Sequence, residues 1–498
     1  VTVLYVISMI VSITPELALD EGTPFAGGLG VLEGDKFYAA SRLRLPYTVI
    51  TLFYRKGYVD YEFRDGMAEP ADVPFSRKLQ SRMKALEGSV NIFGREVKTR
   101  YLVFEKGSVR AVFIDAIAPA WARRLNEHLY EHQDTDISFA RYVLLAEGAI
   151  DYLIRSKTKV EFIDMQEAYA TLVAISPNLK KLEKARLRFI IHTPGPWGHP
   201  SFPRHYFSRN YGYDFLHEKV YLTDIGLATA EHVFCVSKKH FEITKSVMPH
   251  FAAKISYVTN GIEMNRWKKV DEEHFESSKN EARKVLLRKT GLSGDGMVLA
   301  WNRRIVGYKR PEFILRFIEE CDEDVLFILA GKAHPQDMLN REVMEQFWDL
   351  SQRKKNVFYT PDYSTELAGM IAAGADLMVF TPFSGWESSG TSFMKGMVNG
   401  TPCLSSRDGA VIEFIRDGEN GWLYGRNLKK LIDPGSEEGR RISARDYREF
   451  SSKLKRIIKL WQDDRDRFNE IAINAMRTGN MEMDRVLRSY YGELWKIN

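Results

Sequence analysis

Two parallel, doubly wound α/β sheets facing each other across a cleft are what this sequence predicts, and three observations predict them. Short β-branched runs alternate with helical stretches through most of the chain, and strands separated by helices build a parallel sheet covered on both faces. The strand-like runs fall into two groups, parted by the polar segment 268–280. The unusual polar clusters come just after predicted strands, and in open α/β sheets ligands bind at the carboxyl ends of strands.

In chain order, residues 1–13 are apolar and β-branched. They are too short to span a bilayer and have neither the basic flank nor the small-residue cleavage site of a signal peptide, so they suit a buried first strand. Strands of the first group are expected to end at Asp164, His192, Ser237 and Asn260. Those of the second are expected to end near Trp301, Gly331, Pro361, Thr381 and Ser405. Helices are expected over 139–154 and 311–321, and 443–498 reads as charged amphipathic helices. The division that follows is an N-terminal Rossmann-like domain over 1–265 and a C-terminal one over 266–480. A last helix over 481–498 is free to fold back on the first domain.

The 498 residues are enough for two or three domains with cores of their own. A composition 44% hydrophobic and 28% charged is that of a soluble globular protein. The net charge of +5 is spread along the chain with no basic tail, which argues against nucleic acid and membrane partners and suits an anionic small ligand. Cys235, Cys321 and Cys403 are too far apart for a metal or redox pair; they are expected to be buried, in a cytoplasmic protein.

Three clusters carry chemistry. Gly27, Gly28 and Gly30 precede a helical run, where backbone can approach a ligand and a helix N-terminus favours an anion. Arg303, Arg304, Lys309 and Arg310 crowd between a strand end and the helix start marked by Pro311. Four mutually repelling cations make sense if an anion sits among them. The run Glu387-Ser388-Ser389-Gly390-Thr391-Ser392-Phe393-Met394-Lys395 gives a second small-residue cradle, with Lys395 one turn into the next helix among apolar neighbours. A lysine so placed is able to hold pyridoxal 5′-phosphate (PLP). A surface lysine on an amphipathic helix is the plainer reading of that residue alone. His192 ends an apolar strand, and Asn260 precedes a glycine that first of all signals a turn. The Asp-x-Asp-spaced acidic runs at 134–136, 322–324 and 464–466 read as solvated surface. There is no HExxH and no Gly-x-Ser-x-Gly, while a glycosidase with two distant carboxylates stays open.

Taken in order, these segments resemble the α-glucan (glycogen, starch, maltodextrin) phosphorylase family, from about Thr14 to about Glu413. The matching runs are Ala26-Gly27-Gly28-Leu29-Gly30-Val31-Leu32-Glu33-Gly34-Asp35, Leu52-Phe53-Tyr54-Arg55-Lys56-Gly57-Tyr58, Val258-Thr259-Asn260-Gly261-Ile262 and the Glu387-to-Lys395 signature. The resemblance implies a GT-B type glycosyltransferase fold with the active site in the cleft. Lys395 matches the PLP lysine. Arg303, Gly28, Gly390, Thr391 and Tyr363 match positions beside the cofactor, and Arg304 and Lys309 the grip on substrate phosphate. Gly27 lies in the loop that closes over the substrate side; His192, Asn260, Tyr308, Glu387, Ser389 and Gly390 match glucose-side positions. The implied reaction is phosphorolysis of a terminal α-1,4-linked glucose by inorganic phosphate, giving α-glucose 1-phosphate with retention; the cofactor's phosphate, not its ring, takes part. A homodimer and no metal are implied as well. Ser388, Phe393 and Val306 depart from the family's usual residues. The chain reads as a short form without the N-terminal regulatory extension of animal members, so control by phosphorylation there is not expected. A nucleotide-sugar-dependent glucan synthase of the same fold class, with no need of PLP, is the alternative. A non-catalytic glucan-binding relative is the other, although the lysines and arginines that it could have lost are present.

Overall fold

The computed structural model describes residues 9–131, 134–183 and 185–492. Nine strands form the first sheet, in the order Ile255–Tyr257, His232–Cys235, Arg186–Ile191, Val160–Gln166, Met9–Ile13, Tyr47–Leu52, Val109–Ala118, Arg95–Lys106 and Lys84–Ile92. The first seven run parallel. The last two extend the edge as antiparallel hairpin strands. Six parallel strands form the second sheet: Val357–Thr360, Val325–Ala330, Met297–Asn302, Leu377–Phe380, Cys403–Ser406 and Trp422–Tyr424.

Burial explains why the parallel strands were legible. Met297–Asn302 and Val325–Ala330 are buried at every position, because helices cover both faces and the side chains need not alternate. The antiparallel edge has no counterpart in the sequence reading. Arg95–Lys106 shows one face to solvent, so its apolar residues alternate with charged ones. Its tight turn rests on Phe93 and Gly94, both at positive φ, which matches the twist of the strands it joins.

Several expectations shift. Residues 1–8 lie outside the described residues, and the first strand described is Met9–Ile13. The polar segment 268–280 is a connection only in its first half. From Phe275 it is already the helix Phe275–Thr290, with Gly291 in the left-handed region closing its end. Cys235 and Cys403 are buried as expected, but Cys321 is only half-buried, because it follows the last turn of the surface helix Glu312–Glu320. The tail begins as the 27-residue helix Glu437–Asp463, capped by Ser436 and burying Tyr447, Phe450, Leu454, Ile457, Ile458 and Trp461. The helix Met483–Tyr490 returns to the first sheet's side and packs against the helix Gly28–Arg42. There Arg188, paired with Asp164 at 2.6 Å, donates to the Tyr490 carbonyl at 2.5 Å. Among the described residues no helix is long and apolar enough to cross a membrane.

In both sheets the strand order reverses near the middle. The second sheet's switch lies between Met297–Asn302 and Leu377–Phe380, and the first sheet's beside Met9–Ile13. Ligands of doubly wound sheets bind at such points, outside the carboxyl ends of the strands. A cleft of about 1250 Å³ opens there, walled by both sheets.

Candidate active site

On the first wall, the chain leaves Met9–Ile13 and places Glu16 in the interior. Its Oε2 accepts the backbone N–H of Ala26 at 2.6 Å and of Gly27 at 3.1 Å, and Tyr130 donates to Oε1 at 3.2 Å. Glu16 thus anchors the glycine loop that starts the helix Gly28–Arg42, and Gly27 and Gly28 face the cleft. Burial raises the Glu16 pKa against the pull of those amides and of Arg304.

His192 follows Arg186–Ile191, with Nε2 2.7 Å from Oε1 of Gln166. Burial holds its pKa well below the usual range, so it is a neutral hydrogen-bonding group. Beside it, Glu167 ends Val160–Gln166 at φ 62°, a conformation that costs a non-glycine residue free energy and gathers at functional sites. Thr193 donates to its Oε1 at 2.5 Å, and burial pushes the carboxyl up to about 8. Sequence reasoning passed over Glu167, although the rule that drew attention to His192, a polar residue just beyond a buried strand, applies to it equally.

A carboxyl whose pKa is raised on folding contributes stability below its ordinary value of 4.5 that is lost as pH rises through the folded value near 8. Glu167→Gln is therefore expected to become more stable relative to the unaltered protein between pH 5 and pH 8. Thermal unfolding of both at those pH values checks this. A difference that does not change with pH would mean that Glu167 carries no extra proton.

On the second wall, Met297–Asn302 ends in Asn302, Arg303 and Arg304, and Lys309 closes the turn Gly307–Lys309. Gly331 lets the next strand pass: at φ 140°, a Cβ there would lie 1.8 Å from the Arg303 carbonyl oxygen. Arg303 Nη2 pairs with Glu387 at 2.9 Å, and Lys309 lies 3.6 Å from the same oxygen. Arg303 Nη1 is buried without a partner among the described residues. Arg304 makes no hydrogen bond or ion pair there either; it faces Tyr58, Tyr308, Tyr130 and the more distant charge of Glu16. Burial, helped by Arg303 and Arg304, brings Lys309 down to about 7 against the pull of Glu387. Glu387 is itself largely shielded from solvent, yet Lys309 and Arg303 hold its pKa below the ordinary value.

Arg310 corrects the expected cluster of four. It turns away from the cleft in a left-handed conformation, pairs with Asp446 at 2.8 Å, and donates to the Thr381 and Pro382 carbonyls. Three cations are left facing the cleft.

The loop from Glu387 is held from both walls. Asp408 accepts the amides of Gly385 at 2.7 Å and Glu387 at 2.8 Å, and pairs at 3.1 Å with Lys239 from the first wall; both side chains are buried. Ser237 donates to the Ser388 carbonyl at 2.5 Å, and Asn260 to that of Ser389 at 3.4 Å. The hydroxyls of Ser388 and Ser389 are buried without partners among the described residues. Lys395 lies one turn into the short helix Ser392–Met397, its Nζ 3.7 Å from the ring centre of Trp267. That indole donates to Asp35 at 2.8 Å. Burial lowers Lys395 to about 7 against the pull of Asp35, so a large share of the amine is uncharged near neutrality. Tyr363 accepts from Asn302 at 3.1 Å, while Gly390, Thr391 and Tyr308 complete this wall. Apart from Arg310 and Gly30, the site residues read from the sequence thus line one cleft. The acidic runs at 134–136, 322–324 and 464–466 are exposed and are not among the residues that line it.

Residues 320–440 match the family described as carbohydrate phosphorylase. The chain is 25% identical to the glycogen phosphorylase of Aquifex aeolicus, over 84% of this chain and 76% of that one. It is also 25% identical to the maltodextrin phosphorylase of Thermococcus litoralis, over 85% of this chain and 63% of that one. It therefore spans only part of the length of these relatives. Among solved structures, the catalytic domain of starch synthase IV from Arabidopsis thaliana, bound to ADP and acarbose, superposes with a TM-score of 0.77 at 18% identity, covering 98% of this chain and 99% of that one. That likeness speaks to the fold, which is GT-B. By sequence, the chain is similar to glycogen and maltodextrin phosphorylases, most specifically over the segment that the carbohydrate phosphorylase model matches.

Proposed function

We propose that the protein is an α-glucan phosphorylase that releases terminal α-1,4-linked glucose from glycogen or maltodextrin as α-glucose 1-phosphate. The observation that carries this reading is the convergence of Arg303, Arg304 and Lys309 with the buried amine of Lys395 in one cleft. A pocket that only grips a phosphorylated ligand has no need of a desolvated lysine near pKa 7 against an indole face.

The residues present fit PLP. Lys395 offers an amine of which a large share is already uncharged near neutral pH. The unpartnered donors of Arg303, Ser388 and Ser389 are what a buried anion would satisfy. Lys395 would hold the cofactor, with Arg303, Thr391, Tyr363 and the backbone at Gly28 and Gly390 around it. When bound, the cofactor supplies a phosphate that exchanges a proton with the substrate phosphate.

The chain's own residues do the rest. Arg304 and Lys309 hold inorganic phosphate. An anion beside Lys309, whose amine burial brings down to about 7, would favour its protonated form. Glu387 fixes Arg303 and Lys309 in place and, with His192, Asn260, Tyr308, Ser389, Gly390 and the Gly27 loop, offers hydrogen-bonding partners to the sugar hydroxyls. Neutral His192 is oriented by Gln166. Closing the two walls excludes water, which strengthens each of these contacts. The division at 265/266 and 480/481, a cytoplasmic location and a homodimer go with this reading as part of the proposal.

A nucleotide-sugar-dependent synthase is the second reading, favoured by the likeness to a starch synthase structure bound to ADP. The same cations would then grip a diphosphate. Incubating the PLP-treated protein with maltoheptaose and inorganic phosphate is expected to yield α-glucose 1-phosphate, followed by phosphorus NMR. Chain extension from ADP-glucose, with no phosphate-dependent product, would replace this reading with the synthase.

A further inference from the structure

A line of buried hydrogen bonds runs from the glycine-loop helix to His192. Glu33 and Lys36 lie on the helix Gly28–Arg42, Ser12 on Met9–Ile13, and Gln166 at the end of the adjacent strand Val160–Gln166. Glu33, Ser12 and Gln166 are wholly buried, and Lys36 nearly so. Lys36 donates to Oε1 of Glu33 at 2.6 Å. Oε2 of the same carboxylate accepts from Ser12 at 2.7 Å and from Tyr47 at 3.1 Å. Gln166 donates through Nε2 to the Ser12 Oγ at 3.0 Å, and its Oε1 is the atom that His192 meets.

The line has one consistent direction. A carboxylate only accepts, and a hydroxyl has a single proton to give. Ser12 gives its proton to Glu33, so towards Gln166 its oxygen accepts. That turns the amide nitrogen of Gln166 to Ser12 and the amide oxygen to His192. An imidazole nitrogen facing a carbonyl oxygen must carry the proton, so Nε2 is the protonated one and, in the neutral ring, Nδ1 is bare. Among the described residues the ring makes no hydrogen bond besides the one to Gln166, and it lines the cleft. We propose that Glu33, acting through Ser12 and Gln166, is a positioning residue that sets the tautomer of His192, so that the cleft meets a bare ring nitrogen that takes a hydroxyl donor from the ligand. A phosphate dianion has no proton to offer there, which keeps the anion to the cationic wall. That the hydroxyl belongs to a glucosyl unit rests on the glucan reading above.

Nitrogen-15 NMR of the full chain with labelled histidine reads the tautomer, the His192 signals being those lost in His192→Gln. Unaltered protein is expected to show Nε2 protonated and Nδ1 bare. In Glu33→Gln the amide oxygen stays with Lys36 and the amide nitrogen faces Ser12; the line reverses, and the proton is expected to move to Nδ1. Ser12→Ala, which removes only a hydroxyl, is expected to show both tautomers. A proton on Nδ1 in unaltered protein would overturn the proposal. So would a ring that stays protonated at Nε2 in both variants, or in Ser12→Ala alone where Glu33→Gln does not fold. Calorimetric titration with α-glucose 1-phosphate and its monodeoxyfluoro analogues tests the ligand side, because fluorine has no proton to give. At the position that faces His192, fluorine is expected to weaken binding roughly tenfold in unaltered protein and clearly less in the variants. The same penalty in all three proteins would sink the hydroxyl contact. Unaltered protein that binds no α-glucose 1-phosphate would overturn the glucan reading, and the NMR spectra would still decide the tautomer.

Discussion

Lys395→Ala is expected to leave a folded protein that cannot keep PLP through gel filtration. Unaltered protein incubated with PLP should show the absorbance of the bound cofactor, and borohydride should fix it to the peptide that holds Lys395. The variant should show neither, and phosphorolysis should fall by roughly 10²–10⁴-fold or more, the range for loss of a group that moves a proton in the transition state. The physical ground is the state of the amine. Burial has already brought Lys395 to about 7, so most of the cost of taking a charge out of water disappears when the nitrogen becomes part of a neutral bond. The helix holding it is braced as well, since Asn399 donates to the carbonyls of both Trp267 and Lys395 at 2.8 Å. Unaltered protein that gains no absorbance with PLP, yet extends glucans from a nucleotide sugar, would remove the cofactor from the account.

Arg304→Ala carries the second large effect. Arg304 points into the cleft with no carboxylate to satisfy it, whereas Arg303 and Lys309 already share Glu387. On the proposed reading, a cation in that position is held for an anion that arrives with the substrate. Losing one charged donor aimed at a reacting group costs roughly 10²–10³-fold. The loss should appear in the phosphate dependence of the rate, with the affinity for maltoheptaose nearly unchanged. Comparable losses against phosphate and glucan would mean that Arg304 shapes the cleft as a whole.

Much of this was open to a reader of the sequence. Parallel strands buried on both faces give continuous apolar runs, so the ends of Arg186–Ile191 and Met297–Asn302 fell where His192 and Arg303 begin. The cleft residues followed from that rule and from the resemblance together. The missing parts share one cause: they depend on partners distant along the chain. Arg310 looked like its neighbours until Asp446, on a helix more than a hundred residues later, claimed it. Glu167 sits in a conformation that its own identity does not announce. Ser12 and Glu33 are unremarkable in isolation and meet only because a strand and a helix pack together. The antiparallel edge strands were missed for a different reason: a half-exposed strand has a weaker apolar signal than a buried one.

The Lys239–Asp408 pair has a kinetic consequence. It ties one wall to the other at full burial, and the same carboxylate steadies the backbone that carries Glu387. Parting the walls would strand two charges away from water unless solvent flowed in with the motion. Breaking such a pair by removing one member costs about 3–5 kcal/mol in other proteins. Any opening wide enough to break it must therefore be a wetting event, which also loosens the support of Glu387 and with it the grip on Arg303 and Lys309. On the phosphorylase reading, product escape and dismantling of the anion site would then be one step, which a ligand touching both walls would slow by holding the latch shut.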